Sequence, residues 1–321
     1  MSKHDPGEKQ KGGPAVPPSL QPLSRRSFLK AGAGAAASVT ALGWALAPLR
    51  EFDDSISLDE FLQAHYDELT PEKMEKILGR LEKNVTRDYG VKADISDVKP
   101  MNGVEYAYAL NIGRCVGCRR CVYACMKENN NSRDPQVQYI RVLELEKGSL
   151  DLEKSEHHYA PDSVPRKGKY YLPVQCQQCE KAPCTKVCPV RATWKEPDGI
   201  VVVDYNWCIG CRYCMAACPY FARRFNFSKP VIPKEEIVTE MAYLGNRIRP
   251  RGVVEKCTFC LHRTRQGRYP ACLEVCPTGS RVFGNVLDPD SPISYVLREK
   301  RVYVLKEEAG TIPRFYYFFD V

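Results

Sequence analysis

The chain has 321 residues, with 47 Lys and Arg against 39 Asp and Glu and a formal net charge of +8. Residues 1–50 hold seven of the basic and two of the acidic residues, so that segment carries +5 and the remainder only +3. This basic balance is not a nucleic-acid footprint, and neither a G-x-G-x-x-G run nor a P-loop is present to cradle a phosphate.

Residues 1–23, rich in Pro, Gly and Lys, read as disordered. Ser24-Arg25-Arg26-Ser27-Phe28-Leu29-Lys30 is a twin-arginine export motif, Arg25 and Arg26 forming its pair. Nineteen uncharged residues, Ala31 to Leu49, follow; they are mildly apolar, as a targeting segment is, and marginal as a membrane span. Paired arginines alone are common on solvated faces; placed directly before such a run, they signal export. Ala45-Leu46-Ala47 offers a cleavage site, but Pro48 after it is unfavourable, so an uncleaved anchor stays open. Residues 1–50 therefore predict a periplasmic or extracytoplasmic location.

Residues 51–100 read as a helical extension. Ser57 and Glu60 form a capping box opening a helix from Leu58 to Leu69. Thr70-Pro71 then starts a second, with Met74, Ile77, Leu78, Leu81 and Val85 along one face. A helical hairpin covering the rest of the protein and a partner-docking arm are both consistent with this pattern.

From residue 101 to 321 the sixteen cysteines organise the chain. They fall into four quartets: Cys115, Cys118, Cys121, Cys125; Cys176, Cys179, Cys184, Cys188; Cys208, Cys211, Cys214, Cys218; and Cys257, Cys260, Cys272, Cys276. A C-x2-C-x2-C run wraps one face of a cubane iron–sulfur cluster, and the fourth cysteine, a helical turn on, points to a second cluster. Sixteen thiolates thus predict four [4Fe–4S] clusters, with quartets exchanging ligands in pairs. Gly117 and Gly210, before the second cysteine, allow positive φ and close backbone approach. Pro189, Pro219 and Pro277 follow three of the quartets and turn the chain away; Met126 stands there in the first, which predicts a different exit.

Three other chemistries fit less well. Disulfides have no reason to repeat this spacing, and bridges across two residues are strained. Zinc uses two pairs and leaves the third and fourth spacings unexplained. Haem attachment needs C-x-x-C-H, and His262 is one residue out of register after Cys260; packing or hydrogen bonding suits His262 better than ligation. Four dianionic clusters would take the part beyond residue 50 from +3 to about −5. Arg119, Arg120, Arg212, Arg223 and Arg224 beside the cysteines either raise cluster potentials or form a solvated face.

Val137 to Glu146, Tyr170 to Val174, Gly199 to Asp204 and Arg301 to Leu305 read as short strands. Ala192-Thr193-Trp194 and Gly199 to Val203 form a hairpin between the second and third quartets, where a ferredoxin places one. The first and fourth quartets then build the other half. Gly148 to Lys169 and Lys229 to Arg251 read as long partner-facing loops with little core; His157 and His158 in the first read as solvent-exposed. The chain ends Phe315-Tyr316-Tyr317-Phe318-Phe319-Asp320-Val321, and no C-terminal membrane anchor is expected.

The four quartets, the Cys188-Pro189-Val190-Arg191-Ala192-Thr193-Trp194 run and the long gap between Cys260 and Cys272 resemble the four-cluster electron-transfer subunits of complex iron–sulfur molybdoenzymes, such as dimethyl sulfoxide, tetrathionate and polysulfide reductases. The resemblance covers roughly residues 105–320 and leaves the helical extension unexplained. It implies an α+β fold of two bacterial-dicluster-ferredoxin-like halves joined by long loops and preceded by the helical region. It also implies the ligand sets Cys115, Cys118, Cys121 with Cys276; Cys257, Cys260, Cys272 with Cys125; Cys176, Cys179, Cys184 with Cys218; and Cys208, Cys211, Cys214 with Cys188. Some relatives carry tryptophan at the position of Cys211 and hold a [3Fe–4S] cluster; here a full cubane is expected.

The expected function is an electron relay without bond chemistry of its own. It would join a large catalytic subunit, molybdopterin-containing by resemblance, to a polytopic membrane subunit that handles quinone, or to a cytochrome, which would hold it at the membrane. The alternatives are the iron–sulfur subunit of a hydrogenase or sulfite-reduction-linked complex, a freely diffusing carrier, and an enzyme reducing substrate at an exposed cluster; that last reading needs an incomplete quartet.

Overall fold

The structure, a computed structural model, describes residues 70–152 and 154–319. The readings for residues 1–69, including Arg25, Arg26 and the Leu58–Leu69 helix, lie outside the described residues. In chain order the elements are α1 (Pro71–Tyr89), β1 (Asp94–Ser96), β2 (Tyr106–Asn111), α2 (Arg120–Glu128), β3 (Arg141–Glu146) and β4 (Lys169–Val174). Next come α3 (Pro183–Lys186), β5 (Thr193–Lys195), β6 (Val201–Val203), α4 (Tyr213–Ala216), β7 (Arg223–Phe225), β8 (Glu240–Ala242) and β9 (Val254–Lys256). The chain closes with α5 (Leu261–Thr264), α6 (Ala271–Glu274), β10 (Arg281–Asn285), α7 (Pro292–Glu299), β11 (Val302–Tyr303) and β12 (Phe315–Phe318).

Helix α1 begins as its sequence dictates. The Thr70 hydroxyl accepts from the Lys73 N–H at 3.4 Å, Pro71 fills the first position, and Gly90 ends the helix at a left-handed φ of 67°. Val85 is buried, and Met74, Ile77, Leu78 and Leu81 pack against the core as their spacing requires. The helical reading of residues 51–100 fails beyond Tyr89. Strand β1 runs parallel to β8, with Ile95 opposite Met241. From Thr70 onward the chain forms one compact unit.

The hairpin between the second and third quartets forms as read, β5 and β6 pairing antiparallel with Thr193 opposite Val203. Strand β3 starts at Arg141 rather than Val137, because its pairing with β4 begins only at Arg141 opposite Val174, where β4 ends. A four-stranded sheet in the order β10–β2–β12–β11 was not anticipated. Its β2 is buried at all six positions, so it lacks the alternation that marks a strand. The aromatic end of the chain supplies its parallel neighbour, β12.

The segment from Lys229 to Arg251 is also corrected. It contributes Ile232, Ile237, Met241 and Ile248 to a core shared with Val85 and Ile95. Asn246 holds it together: its side-chain oxygen accepts from the Ala242 N–H, and its amide donates to the Glu240 and Glu128 carbonyls. The Gly148–Lys169 segment keeps its loop character, but Tyr159 is buried and donates to the Gly117 carbonyl at 2.7 Å. His157 and His158 are exposed, with rings 4.0 Å apart.

Candidate metal centres

The four quartets share one local construction. In each, the third cysteine is the second residue of a helix: Cys121 in α2, Cys184 in α3, Cys214 in α4 and Cys272 in α6. The fourth follows one turn later. Helices α3, α4 and α6 stop after four residues, short of Cys188, Cys218 and Cys276 and their prolines. With Met126 in place of proline, α2 continues through Cys125 to Glu128, so the different exit expected of the first quartet is observed.

The residue before the second cysteine is left-handed in every quartet: Gly117 (φ 76°), Gln178 (46°), Gly210 (72°) and Phe259 (53°). A Cβ at Gly117 would sit 2.4 Å from the Tyr171 ring, and one at Gly210 would sit 2.1 Å from the Gly252 carbonyl oxygen. The glycine signal marked two of these bends; Gln178 and Phe259 adopt the same bend at a steric cost. The bend turns backbone donors inward, and the Phe259 N–H lies 3.4 Å from the Cys257 sulfur.

Helix α2 packs on α6, and α3 on α4, which brings the first quartet to the fourth and the second to the third. Cys115, Cys118, Cys121 and Cys276 line one cavity, with Arg281 and Ser280 in its wall. Asn129 donates toward Cys125 at 3.6 Å and Cys260 at 3.7 Å, drawing those two sulfurs together. Burial pushes the Cys125 thiol well above its ordinary range, and Cys260, Cys257 and Cys272 add to the effect. Cys179 is pushed up to about 12 by burial, with Cys176, Cys184 and Cys218 among its neighbours. Cys214 is raised by burial and has Cys184 and Cys208 beside it. Cys211 alone among the sixteen is exposed.

Buried thiols of raised pKa hold their protons, so binding a metal there must expel them. Cys276 departs from the trend. Burial opposes its ionisation, but the Ser280 hydroxyl at 3.2 Å and the Thr278 hydroxyl at 3.6 Å bring it below the ordinary thiol value.

Of the five arginines read from sequence, only Arg223 is buried against thiols. Burial disfavours its charge, yet Cys184, Cys214 and Cys176 raise its pKa above the usual arginine value. Arg119 edges the first cavity, bonds Gln138 and lies over the Tyr159 ring. Arg212 lies over Phe225 and Phe227, Arg224 donates to the carbonyls of Gln138, Phe221 and Arg223, and Arg120 is exposed. Sequence reasoning missed Arg281 and Lys256, both buried. Arg281 donates to Gln175 at 3.2 Å and toward the Cys272 sulfur at 3.8 Å. Its spacing held a signal: Arg281 and Arg223 are each the fifth residue after the last cysteine of their quartets. His262 is buried and bonds Glu128 at 2.8 Å, the hydrogen-bonding role expected of it.

These residues fit an anionic multi-iron group. Arg223 Nη1 and Arg281 Nη2 are buried without hydrogen-bond partners, beside thiols that become thiolates on metallation.

Comparison with known proteins points the same way. Models of a 4Fe-4S dicluster domain match residues 114–192, 168–241 and 235–286, and a twin-arginine translocation signal matches residues 22–42. The chain is 43% identical over 213 residues to the iron-sulfur subunit of a putative dimethyl sulfoxide reductase of Halobacterium salinarum, covering 66% of this chain and 78% of that one. It is 36% identical to a selenate reductase subunit of Mesobacillus selenatarsenatis, covering 92% and 96%. It is 38% identical to the iron-sulfur cluster-binding subunit of a menaquinone reductase of Nitratidesulfovibrio vulgaris, covering 67% and 88%.

Proposed function

We infer the function from one premise: this chain belongs to the family of iron–sulfur subunits of molybdoenzyme reductases, built on two 4Fe-4S dicluster domains. It is an electron-transfer subunit for four [4Fe–4S] clusters. When bound, such clusters supply one-electron carriers. The sets that would hold them are Cys115, Cys118, Cys121 with Cys276; Cys257, Cys260, Cys272 with Cys125; Cys176, Cys179, Cys184 with Cys218; and Cys208, Cys211, Cys214 with Cys188. Support comes from the α2–α6 and α3–α4 packing and from the cavity lined by the first set.

The same sets form a succession of neighbours. Cys121 is electrostatically coupled to Cys272, Cys257 to Cys176, and Cys214 to Cys184, so each set neighbours the next in the order given. The protein positions the sulfurs, buries eight of the sixteen cysteines and aims N–H and O–H donors at sulfur. The succession ends at the exposed Cys211, among exposed Trp207, Ile209 and Tyr213. That end suits a partner's redox centre.

The twin-arginine signal supports export, and no helix among the described residues is long and apolar enough to cross a membrane. We place the protein outside the cytoplasmic membrane, between a large, molybdopterin-containing catalytic subunit and a membrane subunit that exchanges electrons with quinone. The observation carrying this reading is the pairing of the quartets through the α2–α6 and α3–α4 packing. Cys211→Ser should convert one cubane to a [3Fe–4S] centre, seen by EPR; an unchanged spectrum with full activity would refute the ligand sets.

A further inference from the structure

Six Lys and Arg side chains are buried among the described residues, and they divide cleanly. Arg249 is paired with Glu255 at 3.3 Å, Arg265 with Asp198 at 2.7 Å and also with Glu196, and Arg247 lies 3.9 Å from Asp204. Arg281, Lys256 and Arg223 have no carboxylate of the described residues within ion-pair distance. Their partners are neutral. Arg281 has Gln175 and the Tyr108 hydroxyl, Arg223 donates to the Thr193 hydroxyl at 2.9 Å, and Lys256 donates to the Cys257 carbonyl at 2.7 Å and the Gln178 side chain at 3.5 Å. Arg223 and Lys256 also stand directly opposite each other on β7 and β9. Like charges placed so, away from water and without a carboxylate, repel unless an anion lies beside them.

Their positions follow the succession of cysteine sets. Arg281 lies between the first two sets, acting on both Cys121 and Cys272. Lys256 touches Cys257 of the second set and Gln178, which sits between Cys176 and Cys179 of the third. Arg223 acts on Cys184 and Cys176 of the third set and on Cys214 of the fourth.

We propose that each of the three junctions between successive clusters is built around one buried cation, Arg281, Lys256 and Arg223 in that order, which raises the reduction potentials of both flanking centres together. The inference rests on the ligand sets proposed above. At each junction one electron leaves one side and arrives at the other, with no proton required. Because the same cation faces both sides, the charge moves within one stabilising field and the step stays close to level. These are positioning residues for charge; they need not touch the iron.

The test is an EPR-monitored redox titration of the full chain in its assembled complex. Arg281→Gln should lower the potentials of the first and second centres, Lys256→Gln those of the second and third, and Arg223→Gln those of the third and fourth. The other two centres should hold their values in each case, and Arg281→Lys, Lys256→Arg and Arg223→Lys should restore most of each shift. Where a Gln variant assembles poorly, Gln175→Glu, Gln178→Glu or Thr193→Asp places a carboxylate on the same cation and should lower the same pair. Cys118→Ser and Cys211→Ser assign signals to the terminal sets independently. Signals that map to other sets overturn the ligand reading. Correct mapping with no shifts, or with all four centres shifting equally, overturns the cation inference alone.

Discussion

The α2–α6 side and the α3–α4 side carry the same number of cysteines but enclose them differently. On the first, Cys121, Cys125, Cys257, Cys260 and Cys272 are buried; on the second only Cys179, Cys184 and Cys214 are, and Cys211 is exposed. Both sides aim side-chain donors at sulfur, the first from Asn129, Tyr108, Ser280 and Thr278 and the second from Thr311 and Arg223. The first side has the nine-residue α2 and the four-stranded sheet behind it, whereas α3 and α4 are single turns. One motif can therefore be insulated or left open by what is packed around it, and a relay needs an open end where a partner must come close.

The largest expected effect separates the two sides at a ligand. Cys257→Ala, in the buried middle of the succession, should remove at least one cluster's iron. It should also cut electron throughput in the complex by more than the roughly 10- to 100-fold typical of losing an outer partner of a metal site. Cys211→Ala should cost less iron and leave the fold intact. Iron analysis with stopped-flow reduction checks both, and equal losses would erase the contrast.

Next come the two glycines. Alanine at either left-handed position costs about 1–2 kcal/mol. At Gly117 the obstacle is a side chain, the buried Tyr171 ring held through its hydroxyl by Glu144 and Arg166, while at Gly210 it is the still closer Gly252 backbone. Gly210→Ala should therefore lower the melting temperature more than Gly117→Ala; the reverse order would show that the insulated side is the tighter one.

Asn129→Ala should cost about 1–2 kcal/mol through lost hydrogen bonds to the Cys125 carbonyl and to sulfur. It should also lower one cluster potential, measured by redox titration, because donors to sulfur favour the reduced state. The smallest effect belongs to His157→Ala on the exposed loop. Stability should move by less than about 0.5 kcal/mol, with iron content unchanged; a loss of iron would give that histidine a role its exposure does not suggest.

The cluster chemistry was legible because spacing alone dictates it, and so was the β5–β6 hairpin, whose strands are close in sequence. Helix α1 declared itself through Thr70, Pro71 and its apolar face. The β2–β12 pairing was not legible, since it joins residues some two hundred positions apart and β2 shows no alternation. The core of residues 229–251 was hidden for another reason: the segment is rich in charge and proline, yet its Asn246, Arg247 and Arg249 are buried and hydrogen-bonded. Arg281 and Lys256 were overlooked on the same grounds, since a basic residue in a short strand looks like surface.

Strand β12 also bears on when the protein can finish folding. The cysteines of the α3–α4 side are all synthesised by residue 218, but the α2–α6 side waits for Cys276 and for β12 to slide in beside β2. That is about a hundred residues, or roughly 5–20 s of translation. The export signal leaves the ribosome long before this last strand exists. Among the described elements β12 is therefore the latch that closes the α2–α6 side, long after the α3–α4 side has all its sulfurs.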